Sequence, residues 1–314
     1  MPLTDEQSDK DRPTTTHPQR IVWLVLGVLV TCATLTLGSL VARAWLDNSG
    51  TASTVVQHHS YQRPVSRIVL DFSGSGAGSV TLLPGPATQV RVERELGGHD
   101  KPSVAETWHE GTLHVQIRCS ARSWLSFGNH CSAGYTMWIP PDVFVDARIS
   151  TGDLHVHDLT GNMSLAMGTG DISLESTSGS VTARSGTGDL TVRGRTGAMS
   201  LGTGRGDIRL TNSTGAVQAH IDRGDLIGAG LRSPDLIAQI RLGDAHLTFA
   251  TAPRTVTATT LRGNADIALP DGRYRIIARA ASGQRIVDVV SASDATSAIT
   301  ARSARGDVDI HYAN

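Results

Sequence analysis

The stretch STGDLHVHDLTGNMSLAMGTGDISLESTSGSVTARSGTGDLTVRGRTGAMSLGTGRGDIRL, residues 150–210, places a glycine at every ninth position, and the series continues just beyond it. The glycines of this series are Gly152, Gly161, Gly170, Gly179, Gly188, Gly197, Gly206, Gly215 and Gly224. Glycine adopts backbone angles that other residues resist, so a glycine at a fixed interval indicates a turn that recurs at that interval. The sequence therefore predicts an architecture of short, equal units.

Each unit has the pattern of one strand. Counting the glycine as position 1, positions 3 and 5 are apolar and position 4 is polar, as in Leu154, His155 and Val156. This alternation predicts a strand with one buried face. Aspartate follows the glycine only in alternate units, so the full repeat is 18 residues long. The repeat-turn residues of the longer period are Gly152, Asp153, Gly170, Asp171, Gly188, Asp189, Gly206, Asp207, Gly224 and Asp225.

Two strands and two turns in every 18 residues predict an all-β fold, a parallel β-solenoid (β-helix) with 18-residue, two-strand coils. An antiparallel meander would also alternate two kinds of turn. The solenoid is favoured because stacked coils require the constant unit length that this sequence has. The interval loosens after Gly224, but similar turns recur at Gly243, Gly263 and Gly306.

The N-terminal region has the pattern of a membrane segment. Residues 21–42 contain no charged side chain. As a helix, this segment is long enough to cross about 30 Å of hydrocarbon. We therefore expect a transmembrane signal anchor over residues 21–46, preceded by Lys10, Arg12 and Arg20 on the cytoplasmic side. A cleaved signal peptide, with its site at residues 42–44, is the alternative.

These features predict a single-pass protein of the cell membrane whose C-terminal part is extracytoplasmic. Its expected parts are a disordered cytoplasmic tail (1–20), the anchor (21–46), a stalk (47–64), an N-terminal β cap (65–140) and the Gly-Asp repeat solenoid (141–314). The net charge of −1 over 314 residues argues against nucleic acid as a partner.

The exported part contains two cysteines, Cys119 and Cys131. An isolated pair in an oxidising compartment predicts a disulfide, which would lie within the cap. A zinc site that used His130 is the alternative, but it lacks a complete set of ligands.

The aspartate column is the first candidate for chemistry, because carboxylates stacked about 4.8 Å apart repel one another by roughly 1 kcal/mol per pair in water. One interpretation is calcium bound between the turns by Asp153, Asp171, Asp189, Asp207 and Asp225. The favoured interpretation is structural, with each aspartate accepting hydrogen bonds from backbone N–H groups of its own turn. Arginines just before the later turns would relieve the repulsion without a metal; these are Arg205, Arg223 and Arg262.

The remaining motifs predict no chemistry. His155 and His157 share the outer face of a strand without a third ligand, so we interpret them as solvated. None of the catalytic motifs Ser-x-x-Lys, Gly-x-Ser-x-Gly or His-Glu-x-x-His is present, nor is a phosphate loop. The sequence therefore predicts no catalytic residue, no cofactor and no enzyme activity. A polysaccharide-active β-helix enzyme is the lesser alternative.

Three features together resemble a known family: the segment from Cys119 to Cys131, the following YTMWIPPDVFVDARISTGDLHV (135–156) and the Thr-Gly-Asp-Leu/Ile repeats. Over residues 65–313 the chain resembles bacterial envelope proteins described as putative adhesins or as β-strand-repeat domains of unknown function. The resemblance implies the fold and assigns no catalytic residue.

Two functions follow as hypotheses. The first is a membrane-anchored, extracytoplasmic, non-catalytic scaffold, adhesin-like, which contacts the membrane through residues 21–46 and binds an envelope polysaccharide or a protein partner. The second is an accessory or sensor subunit of an envelope-stress system, which the resemblance also implies. The sequence does not predict the oligomeric state.

Overall fold

A computed structural model describes residues 54–74, 77–98, 102–119 and 131–313. The predicted tail (1–20) and anchor (21–46) lie outside the described residues, as does the start of the predicted stalk. Within the described ranges, no helix of a length and hydropathy suited to crossing a bilayer was found.

The described chain is built from strands. The first eight are β1 Val55–Tyr61, β2 Arg67–Gly74, β3 Ala77–Pro84, β4 Val90–Gly97, β5 Ser103–His109, β6 Thr112–Cys119, β7 Ser132–Ile139 and β8 Phe144–His157. The regular repeats contain β9 Met163–Thr169, β10 Ile172–Glu175, β11 Val181–Thr187, β12 Leu190–Arg193, β13 Met199–Arg205, β14 Ile208–Thr211, β15 Val217–Arg223 and β16 Leu226–Leu231. The last strands are β17 Asp235–Leu242, β18 Ala245–Phe249, β19 Thr255–Arg262, β20 Ala265–Leu269, β21 Arg273–Ala280, β22 Arg285–Asp288, β23 Val290–Ser291, β24 Ala298–Ser303 and β25 Val308–Tyr312.

The repeats wind as a parallel solenoid, as the sequence predicted. Each coil has a longer strand in one sheet, sheet B, and a shorter strand in the other, sheet A. Val181 of β11 pairs with Met199 of β13 in sheet B, and Leu190 of β12 pairs with Ile208 of β14 in sheet A. In the strands of both sheets, the side chains that point inward are buried between the sheets, and the side chains that alternate with them face outward.

The strict spacing ends where the sequence pattern loosens. Corresponding turn residues lie 18 residues apart up to Asp225, then 19 apart to Asp244 and 20 apart to Asn264. The next turn residue in the stack, Asp307, is 43 residues further along the chain. The insertion holds a complete extra coil.

This extra coil closes the C-terminal end out of chain order. After β20, the chain forms β21 and β22 and then returns, so that β24 lies between β19 and β21. In the same way β25 lies between β20 and β22. The last coil of the sequence is therefore the second from the end in space.

The N-terminal end is rearranged as well. Strands β2 and β3 form one coil, which has the coil of β6 and β7 on one side and strand β8 on the other. Antiparallel pairing occurs at this end, between β1 and β4, β4 and β7, and β5 and β6. Residues 65–140, expected to form a separate cap, therefore contribute two parallel coils as well as antiparallel end strands.

Strand β1 corrects the predicted stalk. Residues 47–64 were expected to link the membrane to the fold, but residues 55–61 pair with β4 along their whole length. The strand was missed because its sequence, VVQHHSY, carries polar side chains at most positions. A strand at the edge of a sheet obtains its stability from backbone pairing and does not need a continuous apolar face.

Cys119 and Cys131 form the predicted disulfide, with their Cα atoms 5.8 Å apart. It links the end of β6 to the residue that precedes β7, the two strands of one coil. The disulfide thus closes the chain across the N-terminal end of the stack.

Candidate functional site

The Gly-Asp turns are built from close backbone contact between coils. Gly206 has a φ of 137°, and a Cβ atom at this position would lie 2.1 Å from the carbonyl oxygen of Gly188 in the neighbouring coil. Only glycine fits, because both the backbone angle and the space exclude a side chain. The same approach recurs at Gly188 and Gly224.

The aspartates form a ladder of hydrogen bonds along the stack. The Asp171 Oδ1 atom accepts a hydrogen bond from the backbone N–H of Asp189 at 2.8 Å, and the Asp189 Oδ1 atom accepts from Asp207 at 2.8 Å. The ladder continues through Asp225, Asp244, Asn264 and Asp307. We expected each aspartate to accept a hydrogen bond from an N–H group of its own turn. The N–H group that it binds belongs instead to the next coil.

The ladder does not require a charge. Asn264 occupies an aspartate position, and its Oδ1 atom accepts from the N–H of Asp307 at 2.8 Å. Asn162, at the other turn, accepts from the N–H of Ser180 at the same distance. These contacts support the structural interpretation of the column, which the sequence analysis favoured over calcium binding.

An arginine other than those predicted pairs with two aspartates of the column. The Arg209 Nη1 atom lies 2.6 Å from Asp189 Oδ2, and its Nη2 atom lies 2.7 Å from Asp207 Oδ2. The hydrogen bond to Asp189 is the largest of the effects that raise the pKa of Arg209. Arg209 projects from the outer face of β14. It occupies position 4 of its repeat unit, which the sequence analysis described only as polar. In the described residues, the predicted Arg205, Arg223 and Arg262 form no ion pair with the column.

His155 and His157 are not brought together with a third ligand. The His157 Nδ1 atom lies 3.4 Å from Glu175 Oε2, and Arg193 binds the other oxygen of Glu175 at 2.9 Å. This is an ordinary ion-pair cluster on the outer face of sheet A.

An unpredicted groove of about 910 Å³ lies along β17, β19, β24 and β21. Its apolar lining includes Ile240, Leu261, Ala278, Ala280 and Ala304. Leu261 is 52% exposed and adds apolar surface to the groove. The volume is within the range of small-molecule binding sites, and the lining has the apolar character that such sites share.

Four arginines line the same groove: Arg241, Arg279, Arg285 and Arg302. Arg241 is paired with Asp222, at 3.2 Å. No carboxylate of the described residues lies within 4.0 Å of the other three. Arg279 and Arg302 are register partners on adjacent strands, an arrangement that places like charges side by side and is destabilising without an anion.

The groove combines an apolar surface with basic side chains. Its arginines stay protonated near neutral pH, and the one imidazole of the described lining is His220, whose Nε2 atom lies 3.8 Å from Asp222 Oδ1. What the arrangement can do is hold an anion beside an apolar surface. Sequence reasoning missed it because β21 and β24 become neighbours only through the out-of-order last coil. The exposed leucine in a Thr-rich strand was the one local signal.

The two stacked parallel sheets and the ladder of glycines and aspartates define the chain as an all-β solenoid. Comparison with family models matches residues 65–314 to the family described as Toastrack DUF4097, and the chain belongs to that family. Comparison with curated proteins gave no significant match.

Solved structures support the fold. A protein described as a putative adhesin from Parabacteroides distasonis is 15% identical, with 83% of this chain and 98% of that chain covered and a TM-score of 0.52. A putative adhesin from Parabacteroides merdae is 16% identical, with 83% of this chain and 97% of that chain covered. Its TM-score is 0.37, which is too low to support an argument.

Proposed function

We propose that this protein is a membrane-anchored, extracytoplasmic, non-catalytic scaffold that binds an anionic amphiphile of the bacterial envelope in the groove of its last coils. The observation that carries the proposal is the pairing of an apolar lining with three arginines that have no carboxylate partner among the described residues.

The location is supported by two features at the N-terminal side of the fold. The uncharged segment 21–42 has the length of a membrane-spanning helix. The Cys119–Cys131 disulfide is typical of proteins that fold outside the reducing cytoplasm. Both favour an anchored domain that faces the envelope.

The chemistry of the ligand follows from the two kinds of lining. Leu261 and Ala280 favour an acyl chain, because burying apolar surface contributes roughly 25 cal/mol per Å². Arg279 and Arg302 favour a phosphate or carboxylate head group, which their guanidinium groups bind in a bidentate manner. A neutral sugar would satisfy neither.

Photo-crosslinking tests this proposal on the full-length chain in a phosphatidylcholine nanodisc. A long-chain fatty acid with a photoreactive group in its chain should label peptides that contain residues 255–262 and 298–304. The double variant Arg279→Gln/Arg302→Gln should lose most of the label. Arg193→Gln, on the other sheet, is the matched control and should keep it.

The neutral alcohol of the same chain length is the ligand control. Equal labelling by the alcohol and the acid, or labelling that is unchanged in the double variant, would contradict a site for anions. Labelling confined to residues outside the groove would show that the fatty acid only partitions into the bilayer.

A further inference from the structure

A second cluster lies on the outer face of sheet A and is independent of the groove. Asp266 of β20 and Asp309 of β25 are register partners, so their carboxylates project side by side from adjacent strands. His311 lies two residues after Asp309 and therefore on the same face. The three ligand atoms lie within 4.8 Å of one another.

The charges of this cluster are unbalanced. In the described part of the chain, no Lys or Arg lies within 4.0 Å of Asp266 or Asp309, and their ion-pair partners are histidines. Two carboxylates directly opposite each other on neighbouring strands repel. In the ladder, by contrast, Arg209 lies between Asp189 and Asp207 and pairs with both.

The facing atoms also lack hydrogen bonds. Asp266 Oδ1, Asp309 Oδ1 and His311 Nδ1 are shielded from solvent, and none has a hydrogen-bond partner in the described structure. A buried polar atom without a partner is costly, and three that face one another point to a species between them that satisfies all three.

The distances indicate what that species is. His311 Nδ1 lies 3.4 Å from Asp266 Oδ1 and 3.7 Å from Asp309 Oδ1. Ligand atoms at 2.0–2.1 Å from a tetrahedral zinc ion lie about 3.3 Å from one another. Calcium and magnesium prefer shells made only of oxygen, whereas imidazole with carboxylates suits zinc and its neighbours.

We propose that Asp266, Asp309 and His311 form a binding site for a divalent transition-metal ion of the zinc class. The three residues supply three ligands, and a tetrahedral ion would take a water molecule as its fourth. His246 is a positioning residue, because its Nδ1 atom lies 3.4 Å from the other oxygen of Asp266. The site joins β20 to the last strand of the chain.

The test is zinc binding to the full-length chain, purified without a polyhistidine tag in detergent and stripped with a chelator. Isothermal titration and metal analysis after dialysis should show one more zinc ion per chain in the wild type than in His311→Gln or Asp309→Asn. Removing either ligand should weaken this site by at least about 100-fold, and His246→Gln should weaken it by roughly 10–100-fold. Cobalt(II) in place of zinc should give the intense visible absorption of a tetrahedral centre.

His157→Gln is the matched control. His157 faces Glu175 at the same 3.4 Å on the same sheet but has no second carboxylate, so its loss should leave zinc binding unchanged. Circular dichroism of each variant confirms that it is folded, and zinc should raise the Tm of the wild type and not that of His311→Gln. Equal zinc stoichiometry and affinity in the wild type and the ligand variants would overturn the proposal, as would an absence of binding at micromolar zinc.

Discussion

Replacing Gly206 by alanine tests the central feature of the fold, the contact between glycine turns of successive coils. Gly206 directly follows strand β13 and has a φ of 137°, and the new Cβ would lie 2.1 Å from the Gly188 carbonyl oxygen and 2.5 Å from its carbon. Both contacts are with backbone, so no side-chain rotation relieves them. The two coils must separate or the turn must change conformation.

The expected cost has two parts. Forcing alanine into this backbone region costs about 1–3 kcal/mol, and overpacking a close contact costs a similar amount. Together they predict a loss of roughly 4 kcal/mol. For a domain of this size, such a loss lowers Tm by roughly 8–16 °C.

Gly202 provides a control in the same strand. Its φ is not positive, and a Cβ there would have Arg184 Cγ as its nearest neighbour at 3.7 Å, an ordinary contact. Gly202→Ala should therefore be neutral or stabilise the protein by about 0.4–1 kcal/mol, because alanine restricts the unfolded chain.

Thermal and urea unfolding of the full-length chain in detergent measure both variants. Hydrogen exchange adds a local measurement, since the Gly188 N–H donates to the Arg205 carbonyl at 2.7 Å and should exchange faster in Gly206→Ala alone. If the two variants have the same stability within about 1 kcal/mol, the turn tolerates a side chain and the reasoning from backbone contact is refuted.

Three further predictions concern other contacts in the stack. Asp171→Ala should cost about 1–3 kcal/mol, because the Asp189 N–H loses its acceptor, whereas Asp171→Asn should cost little; equal losses in urea unfolding would mean that the charge matters. Burial lowers the pKa of Arg195 from its ordinary value to about 10, so above that pH the unfolded chain binds more protons than the folded one. The stability of the wild type relative to Arg195→Met should then rise as pH increases above about 10 and stay level below pH 9; a level difference throughout contradicts the assignment. Reduction of Cys119–Cys131 should lower the free energy of unfolding by about 3 kcal/mol, measured by urea unfolding with and without reductant, and an unchanged midpoint would show that the paired end strands suffice.

The regular coils could be predicted because their information is local. Each turn glycine and each alternating strand recurs at a fixed interval, and the pairing of Leu190 with Ile208 follows directly from the 18-residue period. The acceptor role of the aspartates was also accessible from residue chemistry. Which coil donates the N–H group could not be predicted, because the repeat length alone does not show whether a side chain reaches its own turn or that of the next coil.

The groove and the histidine-aspartate cluster could not be predicted because both depend on the insertion of β24 and β25 between strands that precede them in the sequence. Asp266 and Asp309 become register partners only when the chain passes beyond β20 and returns. Arg279 and Arg302 meet for the same reason. Buried Arg195 was missed for a different reason: its turn looks polar, yet its guanidinium lies inside the stack and donates to the carbonyl of Gly197 at 2.7 Å.

The out-of-order coil makes closure of this part of the stack depend on a segment that is synthesised after both of its neighbours. Strands β24 and β25 leave the ribosome later than the strands on either side of them. A polypeptide truncated before Ala298 would leave β19 and β21 without the strand that joins them, with backbone groups facing a gap. A chain without β24 and β25 would therefore have unpaired strand edges that are prone to association with other chains.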